Sequence, residues 1–176
     1  MGDLKSAKTL GGIGAILTLI GLGFIGFILK LLAVKNIAEA TGRGEIFSKY
    51  LWAAILAIIA DLVLISAFIG SMGSLMSESP EQVIGMIGFG GVIAIILLII
   101  GMWFMKQSYD MIAEETGVGT FHTVAKLYII GAILLIVLIG AFLILIAAIL
   151  EIVAFFALPD SVQQESGPVS VQEEVY

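Results

Sequence analysis

Residues 50–69 read YLWAAILAIIADLVLISAFI, an apolar stretch whose single charged residue is Asp61. A helix of that length extends about 30 Å, which matches the hydrocarbon layer of a membrane. Three further apolar stretches accompany it along the chain, at residues 10–33, 83–105 and 127–158. This pattern predicts an all-α, polytopic membrane protein with four transmembrane helices.

The composition supports a membrane environment. Of the 176 residues, 60% are hydrophobic and 12% are charged, whereas charged residues make up about one quarter of a soluble domain. The chain contains no cysteine, which excludes disulfides, thiolate metal sites and cysteine nucleophiles. No run of basic residues suggests nucleic acid. We therefore expect membrane lipid as a partner, and neither nucleic acid nor a cofactor.

The lengths of the segments define the expected boundaries. Residues 127–158 would extend about 48 Å as one helix, but splitting them at Gly140 gives pieces too short for two crossings. We expect one long helix that ends at Pro159, which cannot continue the hydrogen-bond ladder. Residues 71–82 have the composition of a loop, and residues 159–176 that of an acidic, disordered tail.

Two matching octapeptides indicate an internal repeat. Residues 37–44 read IAEATGRG and residues 112–119 read IAEETGVG, identical at six of eight positions. A phosphate-binding loop is disfavoured because no strand precedes either copy. The glycines suit turns that end a helix and reverse the chain; they are Gly42, Gly44, Gly117 and Gly119. The prediction is two tandem, parallel helical-hairpin repeats, about 8–72 and about 82–158, within a transmembrane domain spanning residues 1–158.

The distribution of basic residues predicts the orientation in the membrane. Six lie in or beside the two repeated loops: Lys30, Lys35, Arg43, Lys49, Lys106 and Lys126. Only Lys5 and Lys8 lie on the other predicted side. Basic residues favour the cytoplasmic side, so we expect both repeated loops in the cytoplasm and both termini outside. Five aromatic residues fall at the predicted inner interface: Tyr50, Trp52, Trp103, Tyr109 and Tyr128.

Asp61 is the candidate functional residue. It lies near the predicted bilayer midplane, where a carboxylate costs about 2.5–3.5 kcal/mol and commonly marks a function. Ala54 and Ala57 share its helix face and form a stripe of small residues, so an inward orientation is expected. Two interpretations stay open. Asp61 is either a neutral, buried acid that holds helices together, bonded to a hydroxyl such as Thr18 or Ser66 or to its own copy, or an ion or proton site.

Other residues receive structural interpretations. Small residues allow close helix packing in lipid, which is the expected role of Gly14, Gly21, Gly88 and Gly91, against other helices of this chain or against a second protomer. Glu151 is expected at the outer interface beside Phe155 and Phe156. His122 and the nearby carboxylates match no metal-binding spacing.

The chain resembles archaeal membrane proteins of domain-of-unknown-function family 996. The resemblance rests on residues 8–14 (KTLGGIG), residues 37–39 (IAE) and residues 155–159 (FFALP). It implies an archaeal cell membrane and four spans, but it implies no activity, substrate or site residue.

Two functions fit these patterns. The first is a non-enzymatic scaffold, assembly or accessory component that acts through helix packing, alone or with another membrane protein. The second is a small homo-oligomeric channel or transporter for ions or protons that uses Asp61. Neither reading requires a catalytic residue.

Overall fold

The computed structural model describes residues 3–76, 80–134 and 139–161, and these form helices joined by short turns. The described residues contain six α-helices: α1 (Leu4–Leu19), α2 (Gly23–Thr41), α3 (Gly44–Met76), α4 (Pro80–Thr116), α5 (Thr120–Leu134) and α6 (Ile139–Phe156). The all-α prediction is confirmed. The chain from residue 162 onward, which includes most of the predicted tail, lies outside the described residues.

The first apolar segment is a helical hairpin. Gly21 adopts a left-handed φ of 93° between α1 and α2, a conformation that favours glycine. The two helices then pack closely, because a Cβ on Gly26 would lie 2.4 Å from the carbonyl oxygen of Gly14. The prediction of one helix over residues 10–33 is therefore wrong. Gly21 is a turn residue with nothing within 4 Å of its Cβ position, so packing of Gly21 within this chain is wrong, and contact with a second copy stays a prediction.

The last apolar segment is also two helices rather than one. α5 ends at Leu134 and α6 begins at Ile139, and the two pack against each other. A Cβ on Gly131 would lie 3.1 Å from the carbonyl oxygen of Gly140, so glycine again permits close approach. The prediction of a single long helix over residues 127–158 is wrong for this reason.

Between the hairpins, α3 and α4 form a long antiparallel pair. Gly90 packs on Ala67 and Gly101 on Ala53. The described residues contain two helices long and apolar enough to cross a membrane, Gly44–Met72 and Gly88–Thr116, where four were predicted. The predicted loop over residues 71–82 is largely helical, since α3 continues to Met76 and α4 starts at Pro80.

The six helices form a closed ring. Each helix packs against its neighbours in sequence, and α1 packs against α6. One core cluster contains residues from the beginning of α1, α3 and α5 and from the end of α2, α4 and α6 (Leu4, Ile46, Phe121, Ile37, Ile112 and Phe155). Lys8 lies 3.9 Å from Asp160. Both ends of the described chain therefore lie beside the two repeated turns, and placing the termini on the opposite side is wrong.

The repeated turns have the same local structure. Gly42 and Gly117 have φ angles of 71° and 72°. Before each glycine, a threonine hydroxyl donates to a carbonyl four residues earlier, Thr41 to Ile37 at 2.9 Å and Thr116 to Ile112 at 2.6 Å. Each of these turns connects a helix of the long pair to a hairpin helix. Duplication of a whole hairpin stays a prediction.

Candidate functional site

A buried ion pair lies at the centre of the ring. Lys30 on α2 and Glu151 on α6 are only 9% and 2% exposed. The Lys30 ammonium donates to both carboxylate oxygens of Glu151, at 3.2 and 3.3 Å. Because a buried charge is costly unless it is paired and hydrogen-bonded, each residue depends on the other.

Two tyrosine hydroxyls complete the coordination of the carboxylate. Tyr109 on α4 donates to Glu151 Oε1, and Tyr128 on α5 donates to Oε2 at 2.8 Å. The Glu151 carboxylate thus connects four of the six helices, α2, α4, α5 and α6. A lysine ammonium has three N–H donors, and both of its hydrogen bonds found in the described structure go to Glu151.

Four aromatic rings pack against one another beside the ion pair. Tyr50 stacks on Tyr109 with ring centroids 5.9 Å apart. Phe121 then contacts Tyr109 edge-on at 5.3 Å and Phe155 at 5.2 Å. All of these rings are buried. Because Tyr109 also bonds to Glu151, these rings pack directly against the ion pair.

The ion pair borders a cavity of about 270 Å³. All six helices line it, with mostly apolar side chains around the charged pair. The lining residues include Thr18, Phe27, Ala54, Ala57, Leu98 and Met102, together with Lys30, Tyr50, Tyr128 and Glu151. The site combines apolar walls with one small polar region.

The sequence did not predict this site. Glu151 was expected at an outer interface because residues 127–158 were read as one helix. The α5–α6 hairpin instead turns Glu151 back to the centre of the ring, so that expectation is wrong. The available signal was two isolated opposite charges, Lys30 and Glu151, each within an apolar segment. Tyr50, Tyr109 and Tyr128 surround this pair, whereas Trp52 and Trp103 are exposed.

Asp61 lies on α3, one helical turn beyond the cavity-lining Ala57 and on the same face. It is exposed, so the interpretation as an acid buried within this chain is wrong. The two hydroxyls considered as partners donate to backbone carbonyls instead, Thr18 to Gly14 and Ser66 to Val63. Asp61 is thus placed just outside the cavity. Contact with its own copy in a second chain and a role as an ion or proton site both stay predictions.

The predicted packing glycines have different environments. Gly14 packs against Gly26 and Lys30. A Cβ on Gly88 or Gly91 would meet nothing within 4 Å in the described structure. Packing within the chain is therefore wrong for these two residues, and contact with a second copy stays a prediction.

Charged groups near the helix ends form two surface clusters. Arg43 donates to Glu115 at 2.8 Å and to Glu114 at 3.5 Å, which connects the two repeated turns. The hydrogen bond with Glu115 raises the pKa of Arg43 above its usual value. His122 Nδ1 lies 2.6 Å from Asp110. In the described part of the chain, no three histidine or carboxylate side chains are arranged to hold a metal ion.

Comparison with known proteins identifies relatives. The model of the family described as "Protein of unknown function (DUF996)" matches residues 22–149. An uncharacterized protein of Methanocaldococcus jannaschii is 41% identical over 178 aligned residues, which cover 93% of this chain and 98% of the relative. No solved structure matches the chain significantly. The archaeal family resemblance seen in the sequence is confirmed.

Proposed function

Since this chain belongs to the DUF996 family of proteins of unknown function, we propose a function from its site: a non-enzymatic membrane protein that binds a small amphipathic molecule in the central cavity, as the binding step of a small carrier. The observation that carries the proposal is the Lys30–Glu151 pair in the wall of a largely apolar cavity. Sites for small molecules commonly combine apolar walls with a few placed polar groups.

We place α3 and α4 across the membrane and both hairpins within it from one side. The exposed Trp52 and Trp103 suit the interface between lipid and water. Lys30 lies close to the level of these two tryptophans in the membrane. Gly21 lies nine residues before Lys30, so the α1–α2 turn would lie about 14 Å deeper, near the midplane. The backbone N–H groups of Ile20, Gly21 and Leu22 in this turn all donate to carbonyls of α1, so they need no water at that depth.

This placement of the helices also allows the orientation of the protein in the membrane to be proposed. With the termini beside the repeated turns, the basic residues at the helix ends all belong to one side of the molecule; they are Lys5, Lys8, Lys35, Arg43, Lys49, Lys106 and Lys126. The positive-inside bias favours the cytoplasm for that side. In contrast to the orientation expected from sequence, both termini and both repeated turns would then be cytoplasmic.

The cavity size limits the ligand. Its volume of about 270 Å³ lies just below the range of about 300–1,000 Å³ for small-molecule sites. A short amphipathic molecule, or one end of a longer one, would fit. Because the cavity is partly open and is lined by helices of both hairpins and of the long pair, movement of a hairpin would widen its entrance.

A second candidate is the scaffold or assembly component. The observation that favours it is the saturated Glu151 carboxylate, which holds four helices together and would serve packing alone. Gly88 and Gly91, whose Cβ positions meet nothing within 4 Å in the described structure, would then contact another membrane protein or a second copy. This candidate requires no ligand in the cavity.

Filling the cavity separates the two candidates. We expect wild-type protein purified from its native membrane into nanodiscs to carry a bound small molecule in native mass spectra. The Ala57→Phe variant should lose that molecule, because the new ring occupies the cavity. Ala141→Phe adds the same ring at an exposed position of α6 and should keep it. Equal occupancy in both variants would reject the carrier proposal and favour the scaffold.

A further inference from the structure

The hydrogen bonds around the ion pair determine which polar head group a ligand in the cavity must have. Resting on the proposed function, we infer that the cavity takes an amphipathic molecule whose head is an oxygen acceptor, either a neutral carbonyl or an anionic oxygen, and that it rejects a cationic head without an acceptor. The Lys30 ammonium is the group that binds this head.

The carboxylate offers little to a ligand. A carboxylate has about four lone-pair positions on its two oxygens. Glu151 receives two hydrogen bonds from Lys30, one from Tyr109 and one from Tyr128. Its acceptor positions and its charge are thus already satisfied by the protein. A cationic head would have to displace one of these donors.

The ammonium, in contrast, retains a donor. Lys30 lines the cavity and is nine-tenths buried. Two of its three N–H groups bond to Glu151, and the described structure shows no acceptor for the third. A buried donor without an acceptor is costly. A ligand that supplies an oxygen acceptor removes that cost, and hydrogen bonds to charged donors are among the strongest.

The remaining walls require an apolar body. Phe27, Ala57, Leu98 and Met102 line the cavity beyond the ion pair. Thr18 offers no donor there, because its hydroxyl bonds to the Gly14 carbonyl at 2.9 Å. An alkyl or isoprenoid chain against these side chains gains from leaving water, with the oxygen head at Lys30.

Three probes with a common chain test this inference: N,N-dimethyldecanamide as a neutral acceptor, decyl sulfate as an anionic acceptor, and decyltrimethylammonium as a cation. Each is titrated calorimetrically into the full-length protein in nanodiscs, with protein-free nanodiscs subtracted. We expect the two acceptor probes to bind saturably and at least about tenfold more tightly than the cation. The stronger of the two identifies whether the natural head is neutral or anionic.

Two variants make the outcome decisive. Ala57→Phe should abolish binding of every probe, and the paired change Lys30→Met with Glu151→Leu should remove the preference for acceptor heads. If the cation binds as tightly as the acceptors, and Ala57→Phe still abolishes binding, the inference fails while the proposed function stands. If no probe saturates, or if Ala57→Phe binds like wild type, both fail. The comparison of probes on wild-type protein decides even if the paired variant does not fold.

Discussion

Replacing Lys30 with methionine should lower the free energy of unfolding by about 3–5 kcal/mol. The change removes both N–H donors to Glu151 and leaves a carboxylate that is 2% exposed without its counter-charge. Methionine retains much of the apolar volume, so the loss reports the charge rather than a cavity. Thermal and denaturant unfolding in matched detergent micelles would measure it.

A paired variant and a surface control show whether the loss of stability comes from the buried charge. Adding Glu151→Leu to Lys30→Met should recover most of the lost stability, because a buried pair replaced by apolar residues is often tolerated. Lys35→Met breaks the exposed Lys35–Glu39 pair at 3.8 Å and should cost less than about 1 kcal/mol. A Lys30 variant as stable as this control, or a double variant with additive losses, would contradict a central role for the pair.

Single cysteines at Lys5, Gly119 and Asp160 should all be shielded from a membrane-impermeant maleimide in intact cells and label fully after permeabilisation. These positions lie at the end of the molecule that carries the repeated turns and both described chain ends. A cysteine at Ser77, between α3 and α4 in sequence, should label in intact cells. The natural chain has no cysteine, so no background labelling interferes.

A cysteine at Leu22 distinguishes a hairpin inside the membrane from one in water. Leu22 is an exposed residue next to the α1–α2 turn, and it should resist the aqueous reagent both before and after permeabilisation. Labelling at Lys5 and Asp160 but not at Gly119 in intact cells would restore the orientation with external termini. Labelling of Leu22 after permeabilisation would place that hairpin outside the lipid.

Local signals in the sequence were sufficient for the helical class and the turns. The apolar stretch at residues 50–69 became part of a helix of crossing length, and Gly42 and Gly117 occupy left-handed positions after their helices. These features depend on residues that are close in sequence. Helix length and glycine conformation need no knowledge of the rest of the chain.

Chain reversal inside an apolar segment could not be read from hydropathy. Residues 10–33 have the length of one crossing, and only the conformation at Gly21 and the close contact of Gly14 with Gly26 reveal a hairpin. The site was missed as a consequence. Lys30 and Glu151 are 121 residues apart in sequence, and a hydropathy profile does not show that both hairpins return their charges to the same place. The sequence indicates Asp61 instead, because it is a single charge near the predicted midplane of an apolar helix.

The central claim is that the cavity beside the Lys30–Glu151 pair binds a ligand. Its most direct test is whether a ligand protects the cavity wall from a small reagent. Ala57→Cys places a thiol at the cavity, and Ala141→Cys places one on the exposed face of α6. We predict that saturating N,N-dimethyldecanamide slows alkylation of Cys at position 57 by N-ethylmaleimide, followed by intact-protein mass spectrometry, and leaves position 141 unaffected. Equal alkylation rates at position 57 with and without the amide would contradict a ligand-binding cavity above the Lys30–Glu151 pair.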